Sequence, residues 1–240
     1  MRLVLVTLLL LQAAPAQSEA DKLEAALRKF GNRTYKILLK GEPVGTYALK
    51  TRVAEEEGQK LAFLEDRLET KIGETVRTTD YTEKAVLKGL ALHWTTQTDT
   101  ALEGKSVPVI AIKDGDGHVS TTAGKRMHLK AVAGALGERA LFRLVCMKEQ
   151  KIGATLKVNA LVLEPIDYQM DREVKCVAKE TLSIGGRKIA AFKWEDKRDG
   201  SSILTGKPVP VPIDNAYWVG PDGALVKFKI GPLEMVPEAK

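Results

Sequence analysis

From Tyr35 onward the hydrophobic positions recur at every second residue. Tyr35, Ile37 and Leu39 share one phase, and Gly41-Glu42-Pro43 supplies a turn. Tyr47, Leu49, Thr51 and Val53 then alternate with Thr46, Ala48, Lys50 and Arg52. Such alternation marks strands with one buried and one wetted face. It predicts further strands over 61–72, 75–81, 86–96, 107–112, 118–122 and 127–131. In the first of these the apolar phase slips between Phe63 and Leu64, which predicts a bulge. In 86–96 the pattern sets Leu90, Leu92 and Trp94 on one face. Alternation resumes over 156–162, 174–178, 189–194, 217–219 and 224–230. The whole reads as about ten strands in two runs. Residues 207–212 carry Pro208, Pro210 and Pro212, which strip donors from one side and require an edge strand or an extended connector. The tail from Gly231 to Lys240 is expected to fray.

Two stretches break the period. Within 17–31, Ser18 and Asp21 have capping-box spacing, with Asp in place of the usual Glu. Leu23, Ala26, Leu27 and Phe30 follow at helical spacing, and Gly31 offers a stop. The second stretch, 136–147, reads LGERALFRLVCM between the two runs of strands. Leu141, Phe142, Leu144, Val145 and Cys146 leave only a narrow polar stripe carrying Glu138, Arg139 and Arg143. A helix apolar round most of its circumference is enclosed by its own protein. Large antiparallel sheets curl, and the concave face needs filling. The expected fold is therefore mainly β: a strongly curved antiparallel sheet, half-barrel or open barrel, with one interior helix and a short N-terminal helix.

The first residues change the setting. Met1-Arg2, an apolar run from Leu3 to Leu11 and Ala14-Pro15-Ala16 are the parts of a secretory signal peptide. The run is too short to cross a bilayer, which takes about 20 apolar residues. Residues 1–16 are expected to be cleaved near Ala16, leaving 17–240 as one β-rich domain, exported to the periplasm or beyond, without a transmembrane segment. The net charge of +6 is spread over interspersed lysines and acids, so it selects no anionic partner. Export permits a disulfide between Cys146 and Cys176, and two buried thiols are the equal alternative.

Candidate chemistry is sparse. His93, His118 and His128 stand without a serine elbow, and Cys146 lies within an apolar helix where thiols are inert. Asp114-Gly-Asp116-Gly lacks the glycine and the closing Glu of a calcium loop and reads as a hairpin turn. Neither zinc spacing nor a phosphate-binding glycine pattern occurs. Lys125, Arg126, His128 and Lys130 form a basic face without the aromatics that stack nucleic acid. No catalytic, cofactor or metal residue is assigned. Paired carboxylates, best represented by Asp66 beside Glu65, are the remote basis for a hydrolase, and depend on Asp66 pointing inward.

The order of features resembles exported bacterial proteins with a short helix, a curved sheet and a helix in its hollow. These are the lipoprotein-carrier-like half-barrels and exported β-rich families of unknown function. The resemblance is carried by Tyr35-Lys-Ile-Leu-Leu-Lys-Gly-Glu-Pro-Val-Gly45 and by Trp218-Val-Gly-Pro-Asp-Gly-Ala-Leu-Val226. It implies a non-enzymatic envelope protein that binds a hydrophobic ligand, such as a lipid or acyl chain, in the concavity. Leu141, Phe142, Leu144, Val145 and Trp94 are the candidate lining. The alternative is an interaction module that docks an envelope protein by an edge strand or by the 208–212 proline segment.

Overall fold

The computed structural model describes residues 18–99, 106–113, 116–120, 126–130, 134–162, 168–202, 208–209 and 215–238. The leader, Asp114 and 210–212 of the proline segment lie outside the described residues. Helix α1 (Glu19–Phe30) begins with the expected capping box: Ser18 Oγ accepts from the Asp21 N–H, and the Asp21 carboxylate accepts from the Ser18 N–H. Gly31, at φ 60°, ends it in a conformation that favours glycine. Leu27 and Phe30 are its buried face.

A first run of strands follows: β1 (Arg33–Leu39), β2 (Glu42–Glu56), β3 (Gln59–Ile72), β4 (Thr75–Val86), β5 (Leu92–Asp99), β6 (Ser106–Lys113), β7 (Asp116–Ser120) and β8 (Arg126–Lys130). A two-residue strand β9 (Leu136–Gly137) leads directly into helix α2 (Glu138–Met147). The second run is β10 (Thr155–Val162), β11 (Tyr168–Ile184), β12 (Arg187–Ser202), β13 (Pro208–Val209), β14 (Asn215–Val219), β15 (Leu225–Ile230) and β16 (Leu233–Pro237).

All of these strands belong to one sheet, ordered β8-β7-β6-β5-β4-β3-β2-β1-β16-β15-β14-β12-β11-β10-β9, with β13 beside β12. The sheet curls until its β9 end nearly meets β5. Leu136 of β9, parallel to β10, bridges Ala91 at the start of β5, and the Leu92 N–H donates to the Ala135 carbonyl at 2.8 Å. Twelve strands, β1–β5, β9–β12 and β14–β16, thus form a nearly closed barrel, and β6–β8 continue the sheet beyond the seam. The Pro208–Val209 step is an edge strand on Gly200 and Ser201 of β12, one of the two roles open to that segment.

The interior holds α2 and the main core, in which Phe142 stacks on Phe228 with ring centroids 6.3 Å apart. Leu27 of α1 joins Ala62, Leu64, Leu90 and Ala140 in an adjoining cluster. The core sits between the helix and the inner face of the sheet, as the curved-sheet expectation requires.

Three local expectations are corrected. The tail does not fray from Gly231: Gly231-Pro232 turns the chain into β16, which lies between β15 and β1. Its alternating residues put Met235 into the core against Phe228, and two strands supply backbone partners. Second, β3 has no bulge between Phe63 and Leu64, because its register with β2 and β4 runs unbroken. Phe63 is instead buried on the outer face, with the Arg52 guanidinium 3.6 Å and the Lys84 ammonium 5.4 Å from its ring centre. Third, the irregularity lies at His93, where Ala85 pairs with Leu92 but Lys84 pairs with Trp94. The extra residue turns Trp94 to the outer face, where Lys84 lies 5.2 Å from its ring, while Leu92 stays inside.

Because β16 is the strand that joins β1 to β15, truncation after Pro232 should abolish cooperative unfolding. Met235→Ala alone should lower stability by about 2–5 kcal/mol, as core Met truncations do. Urea titration followed by Trp194 fluorescence checks both; an unchanged midpoint would return the tail to a frayed end.

Candidate functional site

Alternation across β2, β3 and β4 assembles one polar stripe on the inner wall. Leu49, Asp66 and Tyr81 stand in register, as do Thr51, Leu64 and Glu83. Period two then places Tyr47, Thr51, Asp66, Tyr81 and Glu83 on the face that looks at α2. From the opposite wall β11 contributes Arg172 and β12 contributes Asp196. The polar stripe of α2, Glu138, Arg139 and Arg143, threads between them.

Arg143 is fully buried and spends its donors on the protein. Its Nε donates to Thr51 Oγ1 at 2.9 Å, Nη1 to the Arg139 carbonyl at 2.8 Å, and Nη2 to Asp66 Oδ1 at 2.9 Å. Asp66 completes its second oxygen with the Tyr47 hydroxyl at 2.7 Å. Burial first, and then the Asp66 charge, raise Tyr47 well above the usual phenol range, so it remains the donor. Arg172 is equally committed: Nη1 donates to Glu138 Oε1 at 3.0 Å, and Nε and Nη2 both donate to Asp196. The helix is clamped to both walls by charge-assisted hydrogen bonds.

Glu83 caps the helix from across the barrel. The N-cap, Gly137, has no side chain, and the Arg139 and Ala140 N–H groups donate to the two Glu83 oxygens at 3.1 Å each. A Cβ at Gly137 would lie 2.1 Å from Glu83 Oε2, so glycine is what lets the carboxylate reach the helix end. Burial raises Glu83 to about 7, against the pull of the Arg139 guanidinium and the N–H it donates.

Arg139 differs from the other two arginines. Its guanidinium carbon lies 3.7 Å from the Tyr81 ring centre. Its approaches to Asp66 Oδ2 and Glu138 Oε2 are both 3.6 Å, beyond hydrogen-bond length, and among the described residues its buried Nε has no hydrogen-bond partner. It borders a cavity of about 210 Å³ at the N-terminal end of α2. Leu68, Leu92, Leu161, Ile230, Leu233 and Met235 form the apolar wall of that cavity, and Tyr47, Tyr81, Glu83, Thr95, Gly137, Glu138 and Arg139 the remainder.

Of the residues expected to line a ligand site, Leu141, Phe142 and Val145 are packed in the core, and Leu144 lies against both clusters. Trp94 faces outward. None of the five borders the cavity. The lining comes instead from the first turn of α2 and from β2–β5, β9, β10, β15 and β16. The Glu138-Arg139 pair in the polar stripe, and Tyr47 and Leu92 on the inward phase of their strands, were its signals in the sequence. Cys146 and Cys176 are free, buried thiols in the same core, so no bridge clamps helix to sheet; burial pushes the Cys146 thiol up to about 12. His118 and His128 stand opposite one another in β7 and β8. Asp66 does point inward, but both of its oxygens are taken.

No protein-family model matches the sequence, and no curated protein matches it. Solved structures that the chain resembles are β-barrel-like, lipoprotein or exported proteins, the kind its hairpin motifs led us to expect. A β-barrel-like protein of domain of unknown function DUF1849 from Brucella abortus is 12% identical, with 85% of this chain and 93% of that one covered and a TM-score of 0.47. The hypothetical lipoprotein YmcC from Escherichia coli is 14% identical over 92% and 96% of the two chains, at 0.35. A protein from Bacteroides fragilis described as exported, with a YmcC-like fold, is 9% identical over 86% and 93%, at 0.27.

Two predictions follow from the clamp. Arg143→Met strands the buried Asp66 and should cost about 3–5 kcal/mol, whereas the double replacement with Asp66→Leu should recover part of that loss. Urea midpoints of the two variants decide it, and a double variant no more stable than the single one would deny the pair its role. Glu83 binds its proton more tightly folded than unfolded, so its contribution is full below its ordinary 4.5 and is lost as pH rises through about 7. Stability should fall by about 3 kcal/mol over that window, and Glu83→Gln should remove this part of the slope. Thermal unfolding of both proteins between pH 4 and 8 provides the check.

Proposed function

We propose that the protein is an exported, non-enzymatic binding protein that holds one small, hydrophobic-bodied molecule at the head of α2. The observation that carries this reading is the unfilled space of about 210 Å³ between the first turn of α2 and the barrel wall. Six aliphatic side chains face it together with two tyrosines and the polar Thr95, Glu83, Glu138 and Arg139, an apolar wall with polar groups that can orient a ligand. Size narrows the occupant. Ligand pockets commonly span about 300–1,000 Å³. This cavity equals about seven waters at the liquid share of about 30 Å³ each, room for one short chain rather than a lipid of two or three. The non-enzymatic part is supported by the engagement of both Asp66 oxygens and by the protonated state that burial favours for Cys146. Export rests on the leader pattern of 1–16.

A second reading has one observation in its favour. Among the described residues β8 ends the sheet with β7 as its one partner, and an open edge is a template for strand addition by an envelope protein.

Purified protein should bind octan-1-ol saturably at one site by calorimetry. Leu161→Trp, which fills the cavity, should abolish the heat while retaining a cooperative melt. Absence of saturable binding by the unaltered protein would end the ligand reading.

A further inference from the structure

We propose that the molecule held in this cavity is a single-chain monocarboxylate whose head is gripped by the Arg139 guanidinium. This rests on the cavity being a ligand site, as proposed above, and adds the chemistry of the head group.

The three interior arginines among the described residues contrast in how their donors are engaged. Arg143 and Arg172 direct their donors at Thr51, Asp66, Glu138, Asp196 and backbone carbonyls within hydrogen-bond reach. Arg139 sits on the same helix face as Arg143, one turn nearer the cavity, yet its nearest carboxylate oxygens stop at 3.6 Å. Its Nε is buried and, among the described residues, has no hydrogen-bond partner, its approach to Asp66 being an ion-pair distance only; its side chain is 19% exposed. Donors buried without partners are rare in folded proteins, and those that occur call for an explanation. An acceptor brought in by a ligand supplies one here.

The head group follows from the shape of the donor. A guanidinium is a planar fork that pairs best with a bidentate oxygen anion. Stacking on Tyr81 fixes the plane of this fork before any ligand arrives, so little freedom is lost on binding. The charge of the surroundings then limits the anion. Among the described residues four interior carboxyl groups, Asp66, Glu83, Glu138 and Asp196, stand against three arginines, and Asp66 and Glu138 already lie beside Arg139. One added negative charge is met by the fork. A phosphate, with a charge nearer −2, brings an excess that Asp66 and Glu138 would repel. A cationic head would face Arg139 itself. The aliphatic wall takes the chain, and the volume of about 210 Å³ limits it to about ten non-hydrogen atoms at roughly two-thirds of one water's share apiece.

Calorimetry with octanoate, octan-1-ol, octylamine and octyl phosphate at pH 7.5 tests the assignment on the unaltered protein and on Arg139→Lys and Arg139→Gln. Octanoate should bind at least tenfold more tightly than the other three. Arg139→Gln should bring octanoate down to the level of octan-1-ol while leaving octan-1-ol unchanged. Arg139→Lys, which keeps the charge and loses the fork, should forfeit most of the preference. Equal binding of octanoate and octan-1-ol by the unaltered protein would overturn the head-group assignment and leave the binding proposal standing, as would tighter binding of octylamine or octyl phosphate. If none of the four binds, both proposals fall. The ranking on the unaltered protein decides the matter even if neither variant folds.

Discussion

A guanidinium shut inside a β-barrel must be met by an acid, and the pair formed by Arg143 and Asp66 is the contact on which the interior depends. Both side chains are fully buried. Removing either partner leaves the other as a charge without solvent, so neither helix nor wall can be repacked independently. Such a pair adds little net stability compared with hydrophobic residues of the same shape. What it supplies is position. Arg143 fixes the rotation of α2 about its axis, because its donors reach β2, β3 and the previous helical turn at once. Arg172 and Glu138 fix the opposite side.

That rotation, together with the seam, determines where the space lies. β9 both closes the barrel on the start of β5 and delivers the chain into α2 at Gly137. The later turns of α2 then pack Leu141, Phe142 and Val145 into the core, plugging that part of the hollow. The first turn carries charge instead of bulk, and its N–H groups are taken by Glu83 from across the barrel. The helix therefore plugs the barrel through its middle turns, and its head lines the cavity beside Arg139. Arg139 is left at that head with its buried Nε lacking a hydrogen-bond partner among the described residues.

Much of the fold was legible in the alternation. Tyr35, Ile37, Tyr47 and Leu49 face the core as period two requires, and the capping box at Ser18 and Asp21 forms as spelled. The interior helix was legible too, because an apolar circumference has few other homes. Its partners were not. Asp66 lies 77 residues from Arg143 in the chain and Glu83 57 from Ala140, and no local pattern reports such pairs. Trp94 went to the wrong face because one extra residue at His93 reverses every side chain after it. Phe63 imitated a bulge because cationic side chains cover it as effectively as a core would. The terminal strand was hidden for a similar reason: β16 is sustained by pairing with β1, almost 200 residues away, rather than by its own composition. The cavity combines these losses, since its walls come from both runs of strands, β2–β5, β9, β10, β15 and β16, and from the head of the helix.

The central claim, that buried charges seat α2 inside the barrel, is tested most directly by native-state hydrogen exchange. The amides of Arg139 and Ala140, held by Glu83, and those of the following turns should exchange only through global unfolding, along with β2 and β3. The amides of α1, clasped at one surface, should exchange through smaller openings. If α2 exchanges as fast as α1, the helix is a loosely held insert and the buried network does not seat it.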